Sequence, residues 1–122
     1  MAVSTSEHYK VFRLLALVLL ANLAAACSSD NGQATGSTCP ADSTLTYENF
    51  GQAFVTSYCL SCHTNREQPT LTTLSAIQAH IDDIDRVAAA GPDATNTVMP
   101  EGGSVPTAER EKLGEWLACG AP

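Results

Sequence analysis

Five consecutive residues carry the most reactive side chains of this sequence: Cys59-Leu60-Ser61-Cys62-His63. Two thiols three positions apart, followed at once by an imidazole, form the pattern by which c-type haem is attached to protein. Residues i and i+3 share one face of a helical turn, so both sulfurs can add to the two vinyl groups on one porphyrin edge. The adjacent His63 can then bind the iron from one side. The motif therefore predicts one covalently bound haem c.

A methionine is the main candidate for the opposite face of that iron. Apart from Met1, the only methionine is Met99, which precedes Pro100. Thioether ligation raises the reduction potential of haem relative to ligation by a second histidine. The alternatives are that Met99 fills a gap or lies at the surface, or that His80 is the ligand. We favour His63 and Met99 as the two axial ligands.

The N-terminal residues resemble an export signal. Lys10 and Arg13 precede an apolar stretch, residues 14–26, that is too short to span a bilayer easily. Small residues lead directly to Cys27, as in bacterial lipoprotein signals, where the cysteine becomes the acylated first residue. Ala24 departs from that pattern, which usually has a larger aliphatic residue three places before the cysteine. The alternative is an ordinary secretory signal cut near residue 26, and either signal directs the chain out of the cytoplasm.

These features predict the organisation of the chain. We expect a lipoprotein-type signal peptide over residues 1–26, a flexible tether over 27–38 and a folded domain over 39–122. The tether contains no large apolar residue, so we expect it to stay mobile. His8 would be removed with the signal. The predicted location is the bacterial cell envelope, with a lipid on Cys27 anchoring the protein to a membrane that faces the periplasm or the cell surface.

The charge of the chain restricts its partners. The formal net charge is −7, and the residues after 26 include four basic and twelve acidic side chains. Such a surface repels phosphate backbones, which argues against nucleic-acid binding, and it favours a partner with a basic patch. The roughly 96 residues after the signal suffice for one small domain, which excludes an enzyme with separate cofactor and substrate lobes.

The domain shows helical periodicity in three stretches and strand-like alternation in none. The first follows Thr46 as N-cap, and the second covers residues 74–90 and ends at Gly91-Pro92. The third follows Pro106 with Thr107 as N-cap and ends at Gly120. This pattern predicts an all-α domain of about three helices with long loops near residues 64–72 and 92–106. The apolar stripes consist of Tyr47, Phe50, Phe54 and Tyr58, then Leu74, Ile77, Ile81, Ile84 and Ala88, then Leu113, Trp116 and Leu117.

Residues 45–119 resemble a class I cytochrome c. The order of helix, haem motif, loop, middle helix, Met-Pro and C-terminal helix is that of the family. Gly51, eight residues before the first haem cysteine, matches the glycine at which the first and last helices of the family cross, and Trp116 matches the aromatic residue on the partner helix. Val55 stands where the family has an aromatic residue, with Phe54 adjacent. The resemblance implies that the carbonyl of Pro69 orients the haem histidine.

The resemblance also bears on the remaining cysteines. Cys39 and Cys119 flank the first and last helices, which cross in the family fold, and the envelope is oxidising. We therefore expect a Cys39–Cys119 disulfide, the alternative being two free or intermolecular thiols. In function the resemblance implies an electron carrier rather than an enzyme, acting alone or as a subunit of a larger oxidoreductase. It would pass single electrons between redox proteins of the envelope, and we favour a monomer.

Two other classes of function remain open from the sequence. Cys59 and Cys62 could serve a thiol–disulfide oxidoreductase, although such pairs usually open a helix that follows a strand, and here the pair follows a helix. The chain could also be a disulfide-bonded structural lipoprotein whose haem-like motif is coincidental.

Overall fold

The computed structural model describes residues 32–122, which form an all-α domain. No strand occurs in this range, and the one β-type contact is an isolated antiparallel bridge between Ala90 and Thr95. The prediction of an all-α domain is therefore confirmed. The helical elements are α1 (Tyr47–Gly51, a π-helical turn), α2 (Gln52–Tyr58), α3 (Leu60–His63), α4 (Leu74–Ala79), α5 (Ile81–Ala88) and α6 (Thr107–Ala118).

The first predicted helix begins at its predicted cap but is not regular. The Thr46 side chain accepts a hydrogen bond from the Asn49 N–H at 3.2 Å, and Asn49 Oδ1 accepts one from the Thr46 N–H at 2.8 Å. The Gly51 N–H reaches back five residues to the Thr46 carbonyl at 3.1 Å, which widens the first turn into a π-helix. Regular α-helix then runs through α2 to the haem motif.

The middle helix, predicted as one element over 74–90, is two helices. The backbone breaks at His80 (φ −123°, ψ 24°), whose N–H bonds to the Ile77 carbonyl, three residues back. Periodicity misses this break because the apolar stripe of α4 and α5 continues across it. The second of the two helices ends at Ala88, two residues before the predicted end.

The last helix, α6, also differs from the prediction at its ends. Pro106 occupies the N-cap position, so Thr107 is the first helical residue rather than the cap. The helix ends at Ala118 instead of running to Gly120, whose positive φ of 86° lets the chain turn away.

The core forms where α1 packs against α6. Trp116 is fully buried, and its ring meets Phe50 edge-to-face with centroids 6.0 Å apart. A Cβ on Gly51 would overlap the indole ring, so only glycine allows this approach. The close contact between Gly51 and Trp116 that the resemblance implies is therefore present.

Both ends of the domain are tied together beside this contact. The Tyr47 N–H donates to the Pro122 carbonyl at 2.6 Å, and the Trp116 indole N–H donates to the same carbonyl at 3.3 Å. Cys39 and Cys119 form a disulfide with their Cα atoms 4.7 Å apart, which confirms the expected pairing. It closes a separation of 80 residues, and restricting the unfolded chain to that extent contributes up to about 4.5 kcal/mol in the entropy model.

Residues 32–38, which we call the N-terminal strap, differ from the prediction of a flexible tether over 27–38. Thr35 is fully buried, and its backbone N–H and its hydroxyl donate to the two carboxylate oxygens of Asp85 at 2.9 and 2.6 Å. Gln33 pairs with Asn96, and Ser37 donates to the Ala90 carbonyl. The strap is held by hydrogen bonds rather than by burial of large apolar side chains. Its composition, which lacks such side chains, therefore predicted a mobile segment and was wrong. The folded domain therefore includes residues 32–38 and does not begin at residue 39.

The remaining N-terminal predictions fall on other residues. The signal peptide, the lipid attachment at Cys27 and the rest of the tether lie outside the described residues. Among the residues that are described, no helix has the length and apolar character needed to cross a membrane.

The strap gives a first test. Replacing Thr35 by Val keeps the shape of the side chain but removes the hydroxyl that bonds to Asp85. We expect the free energy of unfolding to fall by about 1–3 kcal/mol, the usual effect of breaking a hydrogen bond to a charged group, measured by urea denaturation. Thr38→Val is the matched control because the Thr38 side chain is exposed. Equal stability of the two variants would mean that the strap is not held by this contact.

Candidate functional site

The two cysteines of the motif lie on one turn of helix. Cys59 ends α2 and begins α3, and its carbonyl accepts hydrogen bonds from the N–H groups of Cys62 (3.2 Å) and His63 (2.9 Å). Cys62 is exposed and Cys59 is half-buried, and neither forms a disulfide. This turn therefore presents two unpaired thiols at the i, i+3 spacing that addition to one porphyrin edge requires.

The loop after α3 orients the imidazole of the motif. His63 Nδ1 lies 2.8 Å from the Pro69 carbonyl oxygen. Because a carbonyl can only accept, Nδ1 carries a proton, and in the neutral ring the lone pair then lies on Nε2, the atom that a metal would bind. The Leu71 N–H bonds to the His63 carbonyl at 2.8 Å and closes the loop on the motif. The orienting contact that the resemblance assigns to Pro69 is thus present.

Met99 lies in the loop between α5 and α6. Its side chain is half-buried against the core, its N–H donates to the Val87 carbonyl at 2.8 Å, and its own carbonyl accepts from Arg110 at 2.8 Å. The rival, His80, is paired through Nδ1 with Asp83 Oδ2 at 3.1 Å, and Asp83 is exposed to solvent. Met99 is therefore held by backbone contacts on both sides, whereas His80 belongs to a surface pair.

Several apolar side chains that pack against the core are only partly covered by protein. They lie in α2, α3, α4 and α5, at Cys59 and in the loop after α5. An apolar macrocycle needs such half-exposed side chains to pack on. They are Tyr58, Cys59, Leu60, Leu74, Ile81, Val87 and Met99.

The residues present fit a haem c. Two free thiols lie on one turn, the adjacent imidazole is hydrogen-bonded through Nδ1 to a carbonyl, and the one methionine among the described residues is half-buried with its backbone hydrogen-bonded on both sides. Over residues 32–122 no three side chains of His, Cys, Asp or Glu converge as in a protein-only metal site.

The chemistry of Cys59 differs from that of a redox-active thiol. Burial raises the pKa of the Cys59 thiol to about 11. Thiol–disulfide oxidoreductases instead lower the pKa of the attacking cysteine, because the thiolate is the nucleophile. This position therefore suits a thiol that stays protonated at neutral pH, unlike the attacking thiol of an oxidoreductase.

Arg110 contacts the Met99 loop and was not predicted from the sequence. It is only 3% exposed, although it is charged. The signal in the sequence was its spacing: Arg110 precedes Leu113 and Leu117 on the buried face of α6, at intervals of three and four. A cation on an apolar stripe indicates a specific buried partner.

No protein-family model, no curated protein and no solved structure matches this chain. The function is therefore inferred from the chemistry of the site alone.

The thiols give a second test. The chain is prepared without haem and with its disulfide intact. We expect iodoacetamide to label Cys62 at least about tenfold faster than Cys59 at pH 8. Cys59 is half-buried, and at pH 8 only about one Cys59 thiol in a thousand is ionised. The rate at Cys59 should rise about tenfold for each pH unit up to about pH 10 as thiolate forms. Peptide mass spectrometry measures both rates. Fast labelling of Cys59 at pH 7 would instead point to a redox-active thiol.

Proposed function

We propose that this chain is a small monohaem c-type electron carrier of the class I cytochrome c kind. The observation that carries the proposal is the hydrogen bond from His63 Nδ1 to the Pro69 carbonyl, beside two unpaired cysteines on one helical turn. That bond serves no purpose in thiol chemistry, but it holds an imidazole in the tautomer that a metal needs. The close packing of Gly51 on Trp116 supports the fold assignment.

Four residues would hold the haem. Cys59 and Cys62 would form the thioether links, His63 would bind through Nε2, and Met99 would bind through sulfur. The bound haem supplies a one-electron couple between ferric and ferrous iron. Pro69 fixes the imidazole ring, and the backbone contacts of Met99 to Val87 and Arg110 limit its movement. With both ligands held by the fold, little rearrangement accompanies electron transfer.

The two proposed ligands favour a carrier over an enzyme. A haem enzyme needs an open iron position for its substrate, whereas a haem held by both His63 and Met99 would have none. The runner-up, a thiol–disulfide oxidoreductase at Cys59 and Cys62, is disfavoured because the pair follows helix α2 instead of opening a helix after a strand, and because burial raises the pKa of Cys59. A purely structural lipoprotein gives no reason for the contact between His63 and Pro69.

The proposed setting is the bacterial envelope, with the domain anchored through a lipid on Cys27. The disulfide between Cys39 and Cys119 supports an oxidising compartment. If Cys27 is acylated, only a few residues separate the lipid from the strap, which begins at Gly32 and is docked on α5 and the loop after it. The domain would then lie close to the membrane surface.

The central test replaces His63 by Ala in a host that attaches haem c. We expect the wild-type chain to gain the mass of one haem with both thiols consumed, and the variant to lose haem incorporation and the Soret band. His80→Ala is the matched control and should retain both. Intact-mass analysis and absorption spectra provide the measurements. A colourless wild-type protein from that host would contradict the proposal.

Electron exchange with a partner gives a further prediction. Because the chain carries a net charge of −7, we expect its redox partner to present a basic patch, and the association rate to fall as salt is added. Stopped-flow kinetics with a basic redox protein at several ionic strengths measures this dependence. A rate that does not change with salt would contradict electrostatic docking.

A further inference from the structure

We propose that Arg110 is the positioning residue for Met99: it holds the backbone of residues 96–99 so that the thioether stays at its site. The inference rests on the proposed function, because it assigns to α6 the control of one proposed haem ligand. It goes further in naming a residue that touches neither the cysteines nor His63 in any contact the structure shows.

The Arg110 guanidinium makes three hydrogen bonds, all from Nη1 and all to backbone carbonyls. Its Nη1 donates to Ala88 at 2.6 Å, to Asn96 at 2.8 Å and to Met99 at 2.8 Å. Among the described residues it has no ion pair with a carboxylate. One side chain therefore joins the end of α5 to both ends of the segment that leads to Met99.

The cost of burying a cation makes this arrangement informative. A guanidinium removed from water is strongly unfavourable unless its hydrogen bonds are replaced, and here carbonyl dipoles replace them. Leu or Met at the same place on α6 would pack with Leu113 and Leu117 at no such cost. The buried charge of Arg110 is therefore best explained by its hydrogen bonds to the Met99 segment.

The remaining contacts of the segment come from other elements and do not replace this one. The N–H groups of Asn96 and Met99 donate to Ala89 and Val87, at and beside the end of α5, at 2.9 and 2.8 Å. The Asn96 amide donates to the carbonyls of Gln33 in the strap and Asp85 in α5. Among these contacts, only Arg110 ties Met99 to α6, the helix that also packs on α1 beside Gly51.

Loss of the hydrogen bond from Arg110 to the Met99 carbonyl should loosen Met99 while leaving the contacts of His63 intact. Without Arg110, Met99 keeps its N–H bond to Val87 but its carbonyl loses the charged donor. The His63 side depends on separate contacts with Pro69 and Leu71. The sulfur would then leave the iron for part of the time, and the reduction potential would fall, because thioether ligation raises it.

The experiment uses the full chain made in a host that attaches haem. Arg110→Met removes the donors at similar length, Arg110→Lys keeps a cation, and Met99→Ala marks complete loss of the ligand. Lys112→Met is the matched control, because Lys112 lies on the same helix and pairs only with Glu109. Native-state hydrogen exchange compares the amides of Met99 and Leu71. Potentiometry and the charge-transfer band of sulfur-ligated ferric haem report ligation.

We expect Arg110→Met to reduce protection of the Met99 amide by about ten- to a hundredfold, as for loss of a charged hydrogen bond, with the Leu71 amide unchanged. Its potential should shift towards that of Met99→Ala, and the sulfur band should weaken. Arg110→Lys should recover part of each effect, and Lys112→Met should match the wild type. If Arg110→Met fails to fold, Arg110→Lys is judged on the same readouts, with intermediate values expected.

Other results overturn the inference. Equal loss of protection at Met99 and Leu71 would show that Arg110 only stabilises the domain. If Met99→Ala shifts the reduction potential but the Arg110 variants do not, Arg110 does not control ligation by Met99. If Met99→Ala itself leaves the potential unchanged, Met99 is not a ligand and Arg110 has no ligand to position. A chain that carries no haem would end the proposed function and, with it, the ligation role. The amide comparison would then show separately whether Arg110 holds the Met99 segment.

Discussion

Glycine at position 51 sets how closely the two ends of the folded chain can approach, and much of the domain depends on that approach. Because Gly51 has no side chain, the ring of Trp116 lies directly against the backbone of α1. The Tyr47 N–H can then reach the Pro122 carbonyl, and the disulfide between Cys39 and Cys119 closes the same end covalently. A side chain at Gly51 would move α6 away from α1, together with every group that α6 holds.

Helix α6 connects the two regions proposed to face the iron. Its C-terminal half packs through Trp116 on α1, which continues into the helix that ends at Cys59. Its N-terminal half holds the Met99 segment through Arg110. One helix therefore contacts both α1 and the Met99 segment. This suits a carrier, whose potential depends on keeping both ligands at constant distance in two oxidation states.

Polar contacts perform structural work that a larger domain would leave to its core. Thr35, Asp85 and Asn96 form a connected set of hydrogen bonds with the strap, and no polar side-chain atom buried within the described residues lacks a partner. In a domain this small the apolar interior is limited, so satisfied polar contacts and a disulfide supply part of the organisation. The same contacts make the strap a folded part of the domain, although its composition is that of a linker.

The sequence by itself determined what depends on neighbours a few residues apart. Helical spacing, the Thr46 cap and the i, i+3 thiols with the adjacent His63 are local, so the all-α class and the turn that carries both thiols could be predicted from the sequence. The resemblance added the contacts of Gly51 with Trp116 and of Pro69 with His63 and the Cys39–Cys119 pair. Tertiary structure decided the break at His80, the docking of the strap and the burial of Arg110. Thr35 and Asp85 lie 50 positions apart and Gln33 and Asn96 lie 63 apart, and no local pattern reveals which distant partner satisfies a polar side chain.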